Sequence, residues 1–216
     1  METHAGRFRV YRVVESVPHI NLFDTEGTRL YTAYQSGYGD RQEDIDALRT
    51  GDLGEATLGG DPDDPDEAWS IQSVERVGGV RMAFAVDADP PAVAEELWTE
   101  GQERPSTTAL ESDGKPVAEV AVQPRAPLPG GAFVPSVLTG LVPMEDRLTE
   151  LQSTGEAVTD ALFVDPDPPD ADRYSRPFGA VVFFSAAGRE LRDEFYAAYG
   201  VAPDADSRPE YDPYGI

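Results

Sequence analysis

The sequence predicts an α+β protein. A small β-barrel of the oligonucleotide/oligosaccharide-binding kind is expected over residues 1–87, an α+β domain with an antiparallel sheet over 88–200, and a polar tail over 201–216. Three observations predict this. Residues 6–86 hold about six short strand patterns at even spacing with turn residues between them, a pattern that a small barrel or sandwich satisfies. A helical turn falls between the third and fourth of them, where that barrel carries one. Beyond the break at Asp87-Ala88-Asp89-Pro90-Pro91 the order becomes helix, hairpin, helix, strand, strand, helix, and neighbouring strands favour an antiparallel layer.

Each element follows from local pattern. Gly6-Arg7-Phe8-Arg9-Val10-Tyr11 alternates polar and apolar, with Phe8 and Val10 on one face. His19–Phe23 and Arg29–Tyr34 pair as a hairpin across the turn Asp24-Thr25-Glu26-Gly27. Ser36-Gly37-Tyr38-Gly39 breaks the pattern, and Glu43–Leu48 forms one helical turn with Ile45 and Leu48 three apart. Glu55–Leu58, Trp69–Val74 and Val80–Phe84 complete the set, separated by the acidic loop Asp61–Glu67 and a tight Gly78-Gly79 turn. In the second half Asp89 is placed to cap a helix over 92–104 that shows Val93, Leu97 and Trp98 on one face and ends at Pro105. Residues 106–111 and 117–122 form a hairpin around Asp113-Gly114. Gln123–Pro135 reads as loop. A helix starting at Ser136 or Pro143 carries Leu148 and Leu151 and runs to Ser153, with Gly155 as its stop. Val158–Val164 is a strand, and Asp165–Asp172 is a second acidic loop. Phe178–Ser185 is apolar almost throughout and reads as the central strand. Arg189–Tyr199 is the last helix, with Leu191, Phe195 and Tyr199 on one face and Gly200 as its cap, and the helices are expected on one side of the sheet.

The charge is the most distinctive property. The 216 residues include 41 acids against 17 basic residues, a formal net charge of −24. Such a balance can mean disorder, but 40% of the residues are hydrophobic and 9% aromatic, and they keep strand and helix periods. The acids are spread along the chain, so they are no acidic tail. What remains is adaptation to molar salt, where repulsion is screened within ~3 Å at 1 M. Sixteen arginines against the single Lys115 agree with this, because the guanidinium pairs bidentately with carboxylate and is weakly hydrated. A GC-rich genome favours the same bias.

Several chemistries are excluded or weakened. There is no cysteine, hence no disulfide, thiolate site or cysteine nucleophile. The longest apolar run, near Ala180–Ala187, falls far short of the ~20 residues of a membrane-spanning helix. Met1-Glu2-Thr3-His4 has neither a basic n-region nor an apolar h-region, so no signal peptide is expected and the expected location is the cytoplasm. His4 and His19 are the two histidines, without a G-x-S-x-G elbow or the local pairing of a zinc site. Asp61, Asp63 and Asp66 begin like a calcium loop, but Asp66 and Gln72 stand where Gly and Glu are required; in the second acidic loop Asp170 and Arg176 stand there. Gly37-Tyr38-Gly39 opens a phosphate-binding pattern that Gln42 fails to complete. No catalytic residue, cofactor or metal is assigned. Carboxylate-only acid/base catalysis stays open because some pair of acids always lies close in so acidic a chain.

One local feature suggests binding. Arg7, Arg9 and Tyr11 share the strand face opposite Phe8 and Val10, and Tyr31 and Tyr34 lie on the third strand. Arginine beside aromatics on a small barrel can hold single-stranded nucleic acid by charge and stacking. The plainer expectation is that these arginines pair with acids across the sheet.

The start Met-Glu-Thr-His-x-Gly-Arg-Phe-Arg-Val, the segment Leu48-Arg49-Thr50-Gly51-Asp52-Leu53-Gly54-Glu55-Ala56-Thr57-Leu58, the run Trp69–Arg76 and the strand-helix pair from Phe178 resemble a family of uncharacterised haloarchaeal proteins, a domain of unknown function. The resemblance implies source and compartment, the cytoplasm of a halophilic archaeon, and no activity, cofactor or site. The leading expectation is a non-catalytic binding or regulatory protein with a protein partner. A single-stranded nucleic-acid module and a carboxylate-only hydrolase are the alternatives.

Overall fold

The computed structural model describes residues 2–12, 17–27, 29–64, 67–126, 133–142, 144–153, 157–203 and 205–211. The chain is mixed α+β, mostly strand with few and short helices, and its strands form two five-stranded sheets. Its contacts divide it into two units: residues 1–81 with 137–145, and 82–136 with 146–216.

In the first unit β1 (Glu2–Tyr11), β2 (His19–Asp24), β3 (Leu30–Tyr34), β4 (Asp52–Gly60) and β5 (Ser70–Gly79) assemble in the order β3-β2-β1-β4-β5, and neighbours are antiparallel. Phe8, Val10, Ile20, Leu22, Tyr31, Ala33, Ala56, Leu58 and Ile71 alternate onto one face and are buried together. Fully burying a side chain of this size contributes ~1.5–3 kcal/mol, so this face organises the unit. The helical turn between β3 and β4 is α1 (Gln42–Asp46), whose Ile45, with nearby Leu48, closes the same core. The two edges of the sheet approach each other at Trp69: Tyr34 N donates to Trp69 O (2.9 Å), Trp69 N donates to Thr32 O (2.8 Å), and Ala33 and Trp69 form a parallel bridge.

The second sheet has the order β6-β9-β10-β8-β7, from β6 (Arg81–Val86), β7 (Ser106–Ser112), β8 (Lys115–Pro124), β9 (Val158–Asp165) and β10 (Phe178–Ser185). The pairs β7–β8, β8–β10 and β9–β10 are antiparallel. β10 is central and buried on both faces, as its unbroken apolar run requires. Asp113 and Gly114 make the β7–β8 turn with both φ positive, 53° and 73°. α2 (Ala92–Leu97) and α5 (Arg189–Ala198) cover one face through Val93, Leu97, Leu191 and Phe195, which pack on Val120, Leu162, Val182 and Phe184.

Five expectations are corrected. The strand from Arg81 joins the second sheet, because Val80 N is taken by Gly51 O and the chain leaves β5 without a hairpin. The helix over 92–104 stops at Leu97: Trp98 is extended (ψ 136°) and its ring stacks on Phe178 at 4.9 Å. Asp89 caps no helix; the cap position is Pro91, and Asp89 meets Arg176. Helices lie on both faces of the second sheet. Phe133, in α3 (Phe133–Leu138), sits where a Cβ on Gly179 would come within 2.2 Å of its ring, and Arg147, in α4 (Glu145–Ser153), pairs with Glu119 on that same face. The described part of the tail is docked, with Phe84 N donating to Ser207 Oγ (2.9 Å). Pro143, Gly155 and Asp66 fall outside the described residues.

Candidate functional site

The strand face that carries Arg9 and Tyr11 was expected to be open. It is closed over by residues 137–145 of the same unit. β1 is therefore buried on both faces from Phe8 to Tyr11. Arg9 Nε donates to Glu145 Oε1 (2.7 Å), Nη2 donates to Glu145 Oε2 (3.1 Å), and Nη1 donates to Gly51 O (2.9 Å). The fork geometry matches both carboxylate oxygens, and both side chains are 10% exposed or less. Tyr11 is fully buried, with no hydrogen-bond partner for its hydroxyl among the described residues. Burial, and then the Glu145 carboxylate, push its phenol up.

The rest of the face holds backbone. Asn21 Nδ2 donates to Thr139 O (2.9 Å) and Asn21 Oδ1 accepts from Thr32 Oγ1 (3.0 Å), so the amide is fixed from two sides. Gly140 has φ +77°, and a Cβ there would meet Leu30 Cδ1 at 2.8 Å and Tyr11 Cδ2 at 3.4 Å. Only glycine both reaches that conformation cheaply and lies this close to β3. Val142 and Met144 are buried, while Leu141 is 56% exposed. The face thus holds the Glu145 carboxylate through Arg9 and the Thr139 carbonyl through Asn21.

The other expected residues separate. Arg7 is half exposed and bound to Glu55 (2.9 Å). Tyr31 faces the interior, T-shaped to Trp69 and stacked on His4, both at 5.0 Å. The Arg29 guanidinium lies 4.8 Å from its ring centroid. Burial raises its phenol, against the pull of Arg29. Tyr34 is the exposed one, 5.9 Å from His19. His4 Nε2 is 2.9 Å from Asp24 Oδ2. Burial pushes the Asp24 carboxyl up, but N–H donors from Gly27, Glu26 and His4 outweigh it and hold it below the usual carboxylate range. So Arg7, Arg9, Tyr11, Tyr31 and Tyr34 form no single surface.

Two close, buried acids do occur in the second unit. Asp165 and Asp167 both meet Arg125 Nη2, at 2.5 and 2.7 Å. Val134 N and Asp167 N donate to Asp165, and Ser175 N donates to Asp167. The Tyr174 ring covers the guanidinium at 4.4 Å. These bonds knit the loops at one end of the sheet, while Arg125 Nε, Arg125 Nη1 and Asp167 Oδ2 are buried without a hydrogen-bond partner among the described residues. An open hollow of about 660 Å³ lies elsewhere in this unit, between Asp89, Pro91, Glu194, Phe195 and Tyr199, whose phenol burial and then Asp89 raise to about 12. Among the described residues no group of three or more His, Asp or Glu is arranged to hold a metal ion. No described helix is long and apolar enough to cross a membrane.

Sequence reasoning named Arg9 and Tyr11 but missed Glu145, Asn21 and Gly140. The Arg9–Glu145 pair spans 136 positions, and nothing local marks it. The Thr139-Gly140 step was a readable signal of a turn. No protein-family model matches the chain, and no curated protein is significantly similar to it.

Proposed function

We propose that the chain is a non-catalytic binding protein of a halophilic archaeal cytoplasm, akin to the haloarchaeal proteins it resembles. In this reading its first unit is a barrel of the oligonucleotide/oligosaccharide-binding kind that holds polypeptide. The barrel reading is supported by the strand order, the meeting of the edges at Trp69 and α1 between β3 and β4. One observation carries the function: the outer face of β1–β3 grips a stretch of polypeptide, with Arg9 on a carboxylate and Asn21 on a main-chain carbonyl. A protein partner presenting an acidic side chain beside a free carbonyl fits the same contacts when it displaces residues 137–145.

Nucleic acid fits less well. Phosphate binding needs cations to spare, and ten of the sixteen arginines are engaged within the chain. Arg7, Arg9, Arg76, Arg125, Arg147, Arg176, Arg192 and Arg208 hold acids, and Arg12 and Arg41 hold backbone carbonyls. The test is fluorescence anisotropy with a short single-stranded oligonucleotide in molar KCl. No saturable binding is expected from the wild type. Saturable binding that Tyr11→Ala abolishes would overturn the proposal.

A further inference from the structure

The hollow of about 660 Å³ in the second unit lies at the C-terminal end of α5 and has the size of a small-molecule site. Asp89, Pro91, Glu194, Phe195, Ala198 and Tyr199 line it, and no basic residue does. Its two rings are held in place. Phe195 stands T-shaped against buried Phe184, 5.6 Å between centroids, and the Tyr199 hydroxyl donates to Asp89 O (2.9 Å). That bond occupies the phenol proton. Burial and then Asp89 push the phenol up to about 12, so it stays neutral. The other polar side chains, Asp89 and Glu194, are carboxylates and only accept. The hollow therefore offers apolar surface, aromatic rings and negative charge, and no free side-chain donor. Its surroundings also favour a cation. A helix C-terminus carries partial negative charge, which Lys, Arg or His commonly offsets, and the last turn of α5 has no basic residue. α2, beside Pro91, is six residues long and already holds Glu95 in its first turn. Neighbouring Arg176 holds Glu95 at 2.5 Å and reaches Asp89 at 3.4 Å, while exposed Glu194 has no ion pair among the described residues.

We infer that this hollow binds a small quaternary ammonium ion free in solution, its charge beside Glu194 and Asp89 and its alkyl groups on Phe195, Tyr199 and Ala198. The lining selects the quaternary class. A primary ammonium ion depends on hydrogen bonds to carboxylates that stand in water, the Asp89 side chain being 91% exposed, and molar salt screens that attraction. A quaternary ion has no N–H to satisfy. Its diffuse charge is drawn to aromatic rings, and its methyl groups gain from apolar surface. The site belongs to the second unit and does not depend on the polypeptide-binding face of β1–β3.

The test is an NMR titration of the full chain with choline chloride in molar KCl. Saturable shifts are expected at residues 88–91 and 194–199. Choline should bind at least about tenfold tighter than ethanolamine and than neopentyl carbinol, its neutral carbon isostere. Tyr199→Leu removes one ring and should weaken binding at least about fivefold. That variant also loses the bond to Asp89 O, so exposed Glu194 supplies a second test that keeps both rings. Glu194→Arg should abolish binding, while Glu111→Arg, the same charge change on β7, should leave it unaltered. No saturable binding, equal affinity for the neutral isostere, or binding that survives Glu194→Arg in folded protein would overturn the inference. So would a trimethyllysine peptide that binds about tenfold tighter than choline, since the occupant would then be a protein.

Discussion

Replacing Glu145 with alanine removes the carboxylate that holds the Arg9 guanidinium. Arg9 and Glu145 side chains are 4% and 10% exposed, so the arginine left behind keeps its charge with little water and, among the described residues, Gly51 O as its acceptor. Breaking a buried pair from one side costs ~3–5 kcal/mol, far above the ~0–1 kcal/mol of an exposed pair. For a chain of this length that is a fall of roughly 10 °C in melting temperature. The exposed pair Arg7–Glu55 is the internal control, and Glu55→Ala should cost less than about 0.5 kcal/mol. Urea unfolding in molar KCl measures both. Salt should not rescue Glu145→Ala, since screening acts weakly on buried charges. The double variant Arg9→Met, Glu145→Leu should recover most of the loss, because an apolar pair of similar volume avoids desolvation. A cost below about 1 kcal/mol for Glu145→Ala would refute the claim that this face is a closed, dry contact.

Other outcomes follow from the same structure. Stability should rise steeply from low salt to molar KCl as self-repulsion is screened, read as the urea midpoint against KCl; a flat curve contradicts the halophile reading. Asp24 has a folded pKa below its unfolded ~3.9, so its contribution is complete above about pH 4 and is lost as pH falls through the folded value. The difference in midpoint between wild type and Asp24→Asn should therefore shrink below pH 4, and a constant difference contradicts the assignment. Gly140→Ala places a Cβ 2.8 Å from Leu30 Cδ1 at φ +77°, which should cost ~1–3 kcal/mol and speed amide exchange over 137–145. Melting with EDTA and with excess calcium should agree at fixed ionic strength; a shift of about 2.7 kcal/mol, the value at a hundredfold excess over Kd, would reveal a cation site.

The strand pattern carried most of the fold because most strands bury at least one face, and burial leaves alternation or an apolar run in the sequence. β10 was legible for that reason, as was the Asp113-Gly114 hairpin. What sequence spacing hides is a partner from far along the chain. Arg9 and Tyr11 read as an outward polar face, and it took Glu145 and Gly140 to bury them. The same blindness assigned Arg81–Val86 to the first unit: two glycines read as a hairpin turn, while the neighbour of β6 is β9, far downstream. Ser207 in a polar tail gave no sign of Phe84.

The central claim is that the outer face of β1–β3 is a polypeptide-binding face. It is tested most directly by replacing residues 137–145 with a Gly/Ser linker of equal length, and titrating the folded variant in molar KCl with a labelled peptide of the sequence 137–147 and with a labelled single-stranded oligonucleotide. The account predicts saturable binding of the peptide, lost when its glutamate is replaced by glutamine, and no binding of the oligonucleotide. Binding of the oligonucleotide alone, with the peptide silent, would contradict it.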